Sequence, residues 1–392
     1  MTPLRRLTDL GQSAWYDYIR RDLYRGPALR RLIEDYDLRG MTSNPTIFAK
    51  AIVETNLYDE EIRRLTANGA SGDETFDALV VDDVRGAADG FRPLFEATGG
   101  EDGFVSIEVG PQFARDTAGS IAEARRLWSA CDRPNVMVKI PATAAGIPAI
   151  RQCLAEGINI NITLLFSVPR YREVMEAYLA AMAERLSVGQ KVDHIRSVAS
   201  FFVSRVDTKL DKALDAVAND ANRPQRERQT AADIRGKVAI ANARIAYEAF
   251  ENVFTNVRFA QLWERGAHLQ RPLWASTSTK DPAYPDLYYV EALVAPHSVD
   301  TMPPETFAAY LDHGRPEVRI HDNLREAHSV FERLAQLKID FDRICLDFEE
   351  EGARKFVASY DEVLQTIRRK QASFDRAPLT ESKGDDSHQA HV

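Results

Sequence analysis

At 392 residues the chain has room for two or three ordinary domains or for one large α/β barrel, and 44% hydrophobic with 28% charged residues excludes a disordered chain. A formal net charge of −9 works against nucleic acid and anionic membranes, so a phosphate-handling protein of this composition needs a local basic pocket. The three cysteines, Cys131, Cys153 and Cys345, are far apart with no CxxC pair, which argues against a disulfide scaffold and suits a reducing cytoplasm.

No apolar stretch follows Arg5 and Arg6, and none approaches the ~18 consecutive apolar residues of a membrane helix. A soluble cytoplasmic protein is expected. Strands are predicted at Ser13–Ile19, Leu38–Ser43, Phe104–Val109, Asn135–Ile140, Ile158–Leu165, Ser197–Val203, Pro272–Ser276 and Tyr289–Ala295. Helix-period segments separate them. Pro27 stands near one helix start, ahead of the apolar face Leu29, Leu32, Ile33 and Tyr36. A long helical stretch is predicted over Glu227–Ala267, and two more helices follow the last strand, one through Val330, Leu334 and Leu337, the other through Phe356, Tyr360, Leu364 and Ile367.

Eight strands joined by connections long enough for parallel crossovers predict a closed (β/α)8 barrel with extra helices; an open doubly wound sheet is the alternative. No linker interrupts residues 1–371, which are read as a single domain, and the polar, aperiodic residues 372–392 are expected to form a disordered tail.

The sharpest feature is Lys139 in the apolar run Val136-Met137-Val138-Lys139-Ile140-Pro141. A strand of a parallel sheet is covered on both faces, so a lysine inside one either pairs, faces a wet cavity, or does chemistry. Burial disfavours the ammonium form, and the neutral amine attacks carbonyls to form a Schiff base. Because strand side chains alternate, Asn159, Asn161 and Thr163 share one face of their strand, and Ser106 and Glu108 share one face of theirs. With Asp17 and the segment Thr42-Ser43-Asn44-Pro45, polar residues recur near the carboxyl ends of successive strands, where barrels assemble their sites. Asp17 and Glu108 could instead hold Lys139 in a structural triad, and Asn44 before Pro45 could be a plain turn. Farther on, Arg205 and the run Ser276-Thr277-Ser278-Thr279-Lys280 suit an anion, or else a surface loop.

Four segments carry a resemblance: Thr42-Ser43-Asn44-Pro45-Thr46, Val138-Lys139-Ile140-Pro141-Ala142-Thr143, Asn159 to Ser167, and Ser197 to Asp207. Together, in this order, they resemble transaldolases, with similarity running from about Ser13 to Ile367. The resemblance implies a class I, metal-free barrel that moves a dihydroxyacetone unit between sugar phosphates of the pentose phosphate pathway. It implies Lys139 as the Schiff-base lysine, Asp17 as acid/base, and Glu108 with Thr163 as the pair handling the catalytic water. Asn44, Asn161 and Ser200 would hold substrate hydroxyls, and Arg205 and Ser276 the phosphate. One branch of the family has a phosphate-binding arginine where this chain has Ser278; Lys280 then supplies the positive charge. The long segments Phe48–Gly103 and Asp207–His268 look like the larger form of the family rather than its compact fructose 6-phosphate aldolases.

No HxH, HExxH, dinucleotide-binding or GK[ST] motif occurs, so neither metal nor cofactor is expected. The expected partners are sugar-phosphate substrates, with no nucleic acid or membrane, and the chain is expected to be a monomer or homodimer. Alternatives are a class I aldolase that releases dihydroxyacetone and a catalytically retired sugar-phosphate-binding barrel.

Overall fold

The structure, a computed structural model, describes residues 2–376. Eight parallel strands close into a barrel in sequence order: β1 (Gln12–Asp17), β2 (Gly40–Thr42), β3 (Phe104–Glu108), β4 (Val136–Pro141), β5 (Ile160–Leu165), β6 (Ser197–Phe202), β7 (Gln270–Ala275) and β8 (Ser298–Met302), with β8 pairing back onto β1. The barrel fold expected from the strand and helix alternation is the fold observed. Among the described residues no helix is long and apolar enough to cross a membrane.

One end of the barrel is sealed. Trp15 points inward from β1 and is fully buried; a Cβ on Gly40 of the neighbouring strand would lie 2.5 Å from the indole, so this position has room only for glycine. Below it, Arg271 donates to Ser13 Oγ at 2.6 Å and pairs with Asp102 at 3.2 Å. The sealed half is thus filled by Trp15 and the Ser13–Asp102–Arg271 cluster, and the opposite, carboxyl end is left to hold a site.

The sequence expectation fails at the eighth strand. Tyr289–Ala295 is a helix, Tyr288–Ala292, running into a loop, whereas β8 is Ser298–Met302. Tyr289, Val290, Leu293 and Val294 are buried at spacings of one and four, a helical pattern that a short apolar run hides. In the true strand three of five residues are polar, and each is met locally. Ser298 accepts from Gln12 at 2.9 Å, Asp300 accepts from Thr277 at 2.9 Å, and Thr301 shares a hydrogen bond with Thr42 at 2.6 Å.

The long segment Glu227–Ala267 is likewise three helices, Gln225–Ile234, Val238–Phe254 and Val257–Trp263. The first break falls at Gly236, whose φ of +73° suits glycine and whose missing Cβ makes room for Tyr284 Oη. The second falls at Asn256, which caps the third helix by accepting from the Phe259 amide at 2.9 Å. The last helix, Phe341–Arg376, is longer than its apolar stripe suggested and takes in Ala372–Arg376. The remainder of the expected tail, residues 377–392, lies outside the described residues.

Asp300 carries a stability prediction. It faces the helical layer, fully buried, with one carboxyl oxygen bonded to Thr277 and the other without a partner; burial pushes its pKa up to about 7. The folded state thus binds this proton more tightly than the unfolded chain. Its stabilisation is complete below about pH 4 and is lost as pH rises through about 7, by at most about 4 kcal/mol. Asp300→Asn mimics the protonated form. Its Tm should move upward relative to the parent chain between pH 5 and pH 8 in thermal melts; a constant difference would contradict the assignment.

Candidate active site

The strands converge their polar side chains on a cavity of about 140 Å³ at the carboxyl end of the barrel. Eight of the ten predicted site residues line it: Asp17, Asn44, Lys139, Thr163, Ser200, Arg205, Ser276 and Lys280. The other two, Glu108 and Asn161, stand immediately behind.

Lys139, at 5% exposure, sits on β4 between Glu108 of β3 and Asn161 of β5 in strand register. Its Nζ donates to the Ser43 carbonyl at 2.9 Å and lies 3.4 Å from Glu108 Oε2. The Ser43 hydroxyl donates to the Ser106 carbonyl at 2.7 Å, which fixes the carbonyl that Lys139 uses. The amine is thus oriented by two oxygens while its remaining face opens to the cavity.

Asp17 ends β1 opposite Thr42, whose hydroxyl donates to it at 2.6 Å. Burial raises the pKa of Asp17 above the ordinary carboxylate range, against the pull of Lys139 and the Thr42 hydrogen bond. Burial raises that of Glu108 too, again opposed mainly by Lys139, with the neighbouring Asp17 adding to the rise. Two buried carboxyls thus flank one lysine, and burial moves both toward their neutral forms.

Among the described residues, Glu108 Oε2, apart from its ion pair with Lys139, and Thr163 Oγ1 are both buried without a hydrogen-bond partner. They come from the strands flanking Lys139, since Glu108 pairs in register with Lys139 and Thr163 with Pro141. Just beyond Thr163 the β5–β6 ladder slips between Ile162 and Leu165, and Leu164 takes a φ of +54°. The C-terminal helix accommodates that kink. A Cβ on its Gly352 would come within 2.7 Å of the Leu164 side chain.

Asn161 is fully buried, its amide donating to Ser106 Oγ at 2.9 Å and its carbonyl accepting from Ser200 Oγ at 2.7 Å, so it braces β3 and β6 beneath the cavity. Asn44 caps the helix Pro45–Val53 by accepting from the Ile47 amide at 3.0 Å while it lines the cavity wall.

The outer rim is cationic. The Arg205 guanidinium lies 4.9 Å from the Phe202 ring centroid, and no described carboxylate comes within ion-pairing distance of it. Burial lowers its pKa, while Asp17 and Glu108 work in the other direction. Ser276 shares a hydrogen bond with Ser204 at 3.1 Å, and Lys280 donates to Ser278 at 2.6 Å. A half-buried arginine with no carboxylate partner among the described residues, beside a lysine and three hydroxyls, has the chemistry to hold an oxyanion.

Sequence reasoning left Thr42, Thr301 and Phe356 out of the site, although all three line the cavity. Thr42 stood inside a quoted motif, Thr301 lay in the misplaced strand, and Phe356 was visible only as part of a helical stripe.

The chain matches the family described as Transaldolase/Fructose-6-phosphate aldolase over residues 14–367. It is 49% identical over 368 residues to a transaldolase of Saccharopolyspora erythraea, an alignment covering 93% of this chain and 96% of that protein. A transaldolase of Thermobifida fusca is 46% identical over 375 residues, or 95% and 99% of the two chains. One of Mycobacterium tuberculosis is 46% identical over 367 residues, or 93% and 96%. With a parallel eight-stranded barrel and a lysine-centred site at its carboxyl end, the chain belongs to the transaldolase/fructose-6-phosphate aldolase family.

Proposed function

We propose that this chain, an enzyme of the transaldolase class, moves a dihydroxyacetone unit from sedoheptulose 7-phosphate or fructose 6-phosphate to glyceraldehyde 3-phosphate or erythrose 4-phosphate through an imine on Lys139. The observation that carries the reading is the placement of the Lys139 amine, buried beside Glu108, at the base of a cavity rimmed by the unpaired Arg205.

Lys139 first gives a proton to Glu108, 3.4 Å away; the freed amine then attacks the ketose C2 carbonyl, and the carbinolamine loses water to give the iminium. Proton transfer at that step falls to Glu108 and Thr163, whose unpartnered oxygens can hold the departing water between them. Asp17 then takes the proton of the C4 hydroxyl as the C3–C4 bond breaks. The bonding pair enters the iminium, giving an enamine, and the aldose phosphate leaves. An acceptor aldehyde reverses these steps, with the enamine carbon forming the new bond and Asp17 returning its proton. Hydrolysis of the last imine frees Lys139. Transfer prevails over release only while water is kept from the enamine, and the small volume of the cavity favours that outcome. Product analysis of fructose 6-phosphate turnover with and without an aldose phosphate tests the reading. Transfer requires the acceptor, whereas free dihydroxyacetone produced at the same rate without it would mark a simple aldolase. A cytoplasmic location, supported by three free, buried cysteines, and a monomer or homodimer complete the reading.

Lys280 gives a second test. A charged hydrogen bond to phosphate contributes ~1.5–3 kcal/mol, so Lys280→Ala should raise KM for fructose 6-phosphate roughly 10- to 100-fold. Turnover of unphosphorylated fructose should hardly change, because the lost contact is to the phosphate. Equal losses on both substrates would remove Lys280 from the phosphate site.

A further inference from the structure

A second cavity, of about 670 Å³, lies on the outside of the barrel between the helices Val238–Phe254, Tyr288–Ala292 and Leu324–Gln336. That volume falls in the range of small-molecule sites. Its wall is apolar where Ile240, Ala241, Leu287, Ala327 and Val330 face it, and the Tyr288 ring adds a flat surface held by a hydrogen bond from its hydroxyl to the Gly236 carbonyl at 3.1 Å.

Most charges around this cavity are paired. Lys237 meets Glu326 at 3.3 Å, Arg319 meets Glu291 at 3.4 Å, and His313 meets Asp286 at 3.2 Å. Arg244 is different. Its only hydrogen bond among the described residues runs to the Arg319 carbonyl at 3.1 Å, its Nε is buried without a partner, and no described carboxylate lies within ion-pairing distance. Asp322 and Glu326 are near enough to favour its charge, yet burial still lowers its pKa. Arg315 on the rim also lacks a carboxylate partner, only its backbone amide being bonded to Glu291. A partly buried guanidinium left uncompensated is costly, and an oxyanion offers the bidentate partner that it lacks.

We propose that this cavity binds a ring-bearing organic oxyanion, a phosphate or carboxylate, with the ring against Tyr288 and the apolar wall and the anionic group on Arg244 and Arg315. The probe is phenyl phosphate, added to the full chain and followed by calorimetry and hydrogen–deuterium exchange. We expect a Kd below about 1 mM, or more than ~4 kcal/mol of binding, with protection in 238–245, 285–292 and 313–319. Affinity should fall roughly 10-fold or more in Arg244→Gln, equivalent to ~1.4 kcal/mol, and phenol should bind more weakly than phenyl phosphate to the parent chain. Should Arg244→Gln fail to fold, Arg315→Gln serves instead and should also weaken binding. Protection confined to the barrel mouth, around 200–206 and 276–280, overturns the proposal, as does unchanged affinity in the folded variant. Inorganic phosphate alone separates the two contributions. If it binds as tightly as phenyl phosphate, the ring has no subsite and the proposal fails.

Discussion

Lys139→Ala is expected to abolish transfer, lowering turnover by about 10,000-fold or more, the scale on which removal of a covalent nucleophile acts. Borohydride added with fructose 6-phosphate should reduce the imine of the parent chain to a stable secondary amine. Peptide mass mapping then places the added mass on Lys139, and the variant gains none. The substitution also takes the ammonium away from Glu108, which is 3.4 Å off and already disposed by burial to hold a proton. Glu108 can therefore neutralise rather than remain a buried unpaired charge, so the variant should stay folded and its inactivity should be chemical. A melt at pH 6 checks that point. Turnover that survives the substitution, or an adduct on another lysine, would dismantle the mechanism.

The parts of this molecule legible in its sequence are those where one residue contradicts its own surroundings. Lys139 within an aliphatic run could be read at once because a strand covered on both faces leaves a charge few fates. Alternation set Glu108 with Ser106, and Asn161 and Thr163 with Asn159, on common strand faces, and the resemblance singled out Glu108, Asn161 and Thr163; the structure pairs Glu108 and Asn161 with Lys139 and Thr163 with Pro141. What alternation cannot give is which inward polar group is free. Asn161 and Thr163 share a face of β5 and are equally buried, yet Asn161 donates to Ser106 and accepts from Ser200 whereas Thr163 Oγ1 has no partner among the described residues. That distinction depends on β3 and β6, which are remote in the chain. Phe356 was beyond reach for a similar reason, since it enters the site on a helix that returns across the barrel mouth from the far end of the sequence. The misplaced eighth strand shows the converse error. A polar strand satisfied by its neighbours reads as a loop, and a short apolar helix reads as a strand.

In the proposed reaction the cationic rim and the buried interior divide the work of substrate handling. Arg205 and Lys280 stand at the outer edge, where they can meet a phosphate that remains hydrated on its far side. Asp17 and Glu108 sit deeper, beside Lys139, where burial raises both carboxyl pKa values and the lysine pulls against that rise. The division also explains why an acidic chain with a net charge of −9 can take an anionic substrate. The local field at the mouth, and not the summed charge, meets the incoming phosphate.

Asp17→Asn should separate imine formation from bond cleavage. The asparagine keeps an oxygen for the Thr42 hydroxyl, so the local geometry survives, but it cannot take the hydroxyl proton. We expect kcat to fall roughly 100- to 10,000-fold, the usual contribution of a general base, while borohydride still traps a fructose 6-phosphate adduct on Lys139. The parent enzyme should also lose kcat as pH falls and Asp17 takes up its proton. Because burial raises this pKa, that acid limb should lie above the ordinary aspartate range and vanish from the residual activity of the variant. Stability should move oppositely. A carboxyl with a raised folded-state pKa stabilises the fold while protonated, below its unfolded pKa near 4, and loses that contribution as pH rises through the folded value. Asparagine retains the neutral form at every pH, so at pH 8 the variant should melt at or above the parent temperature despite its lost activity. Loss of trapping together with turnover would instead assign Asp17 to imine formation, and an unchanged kcat would take it out of the chemistry.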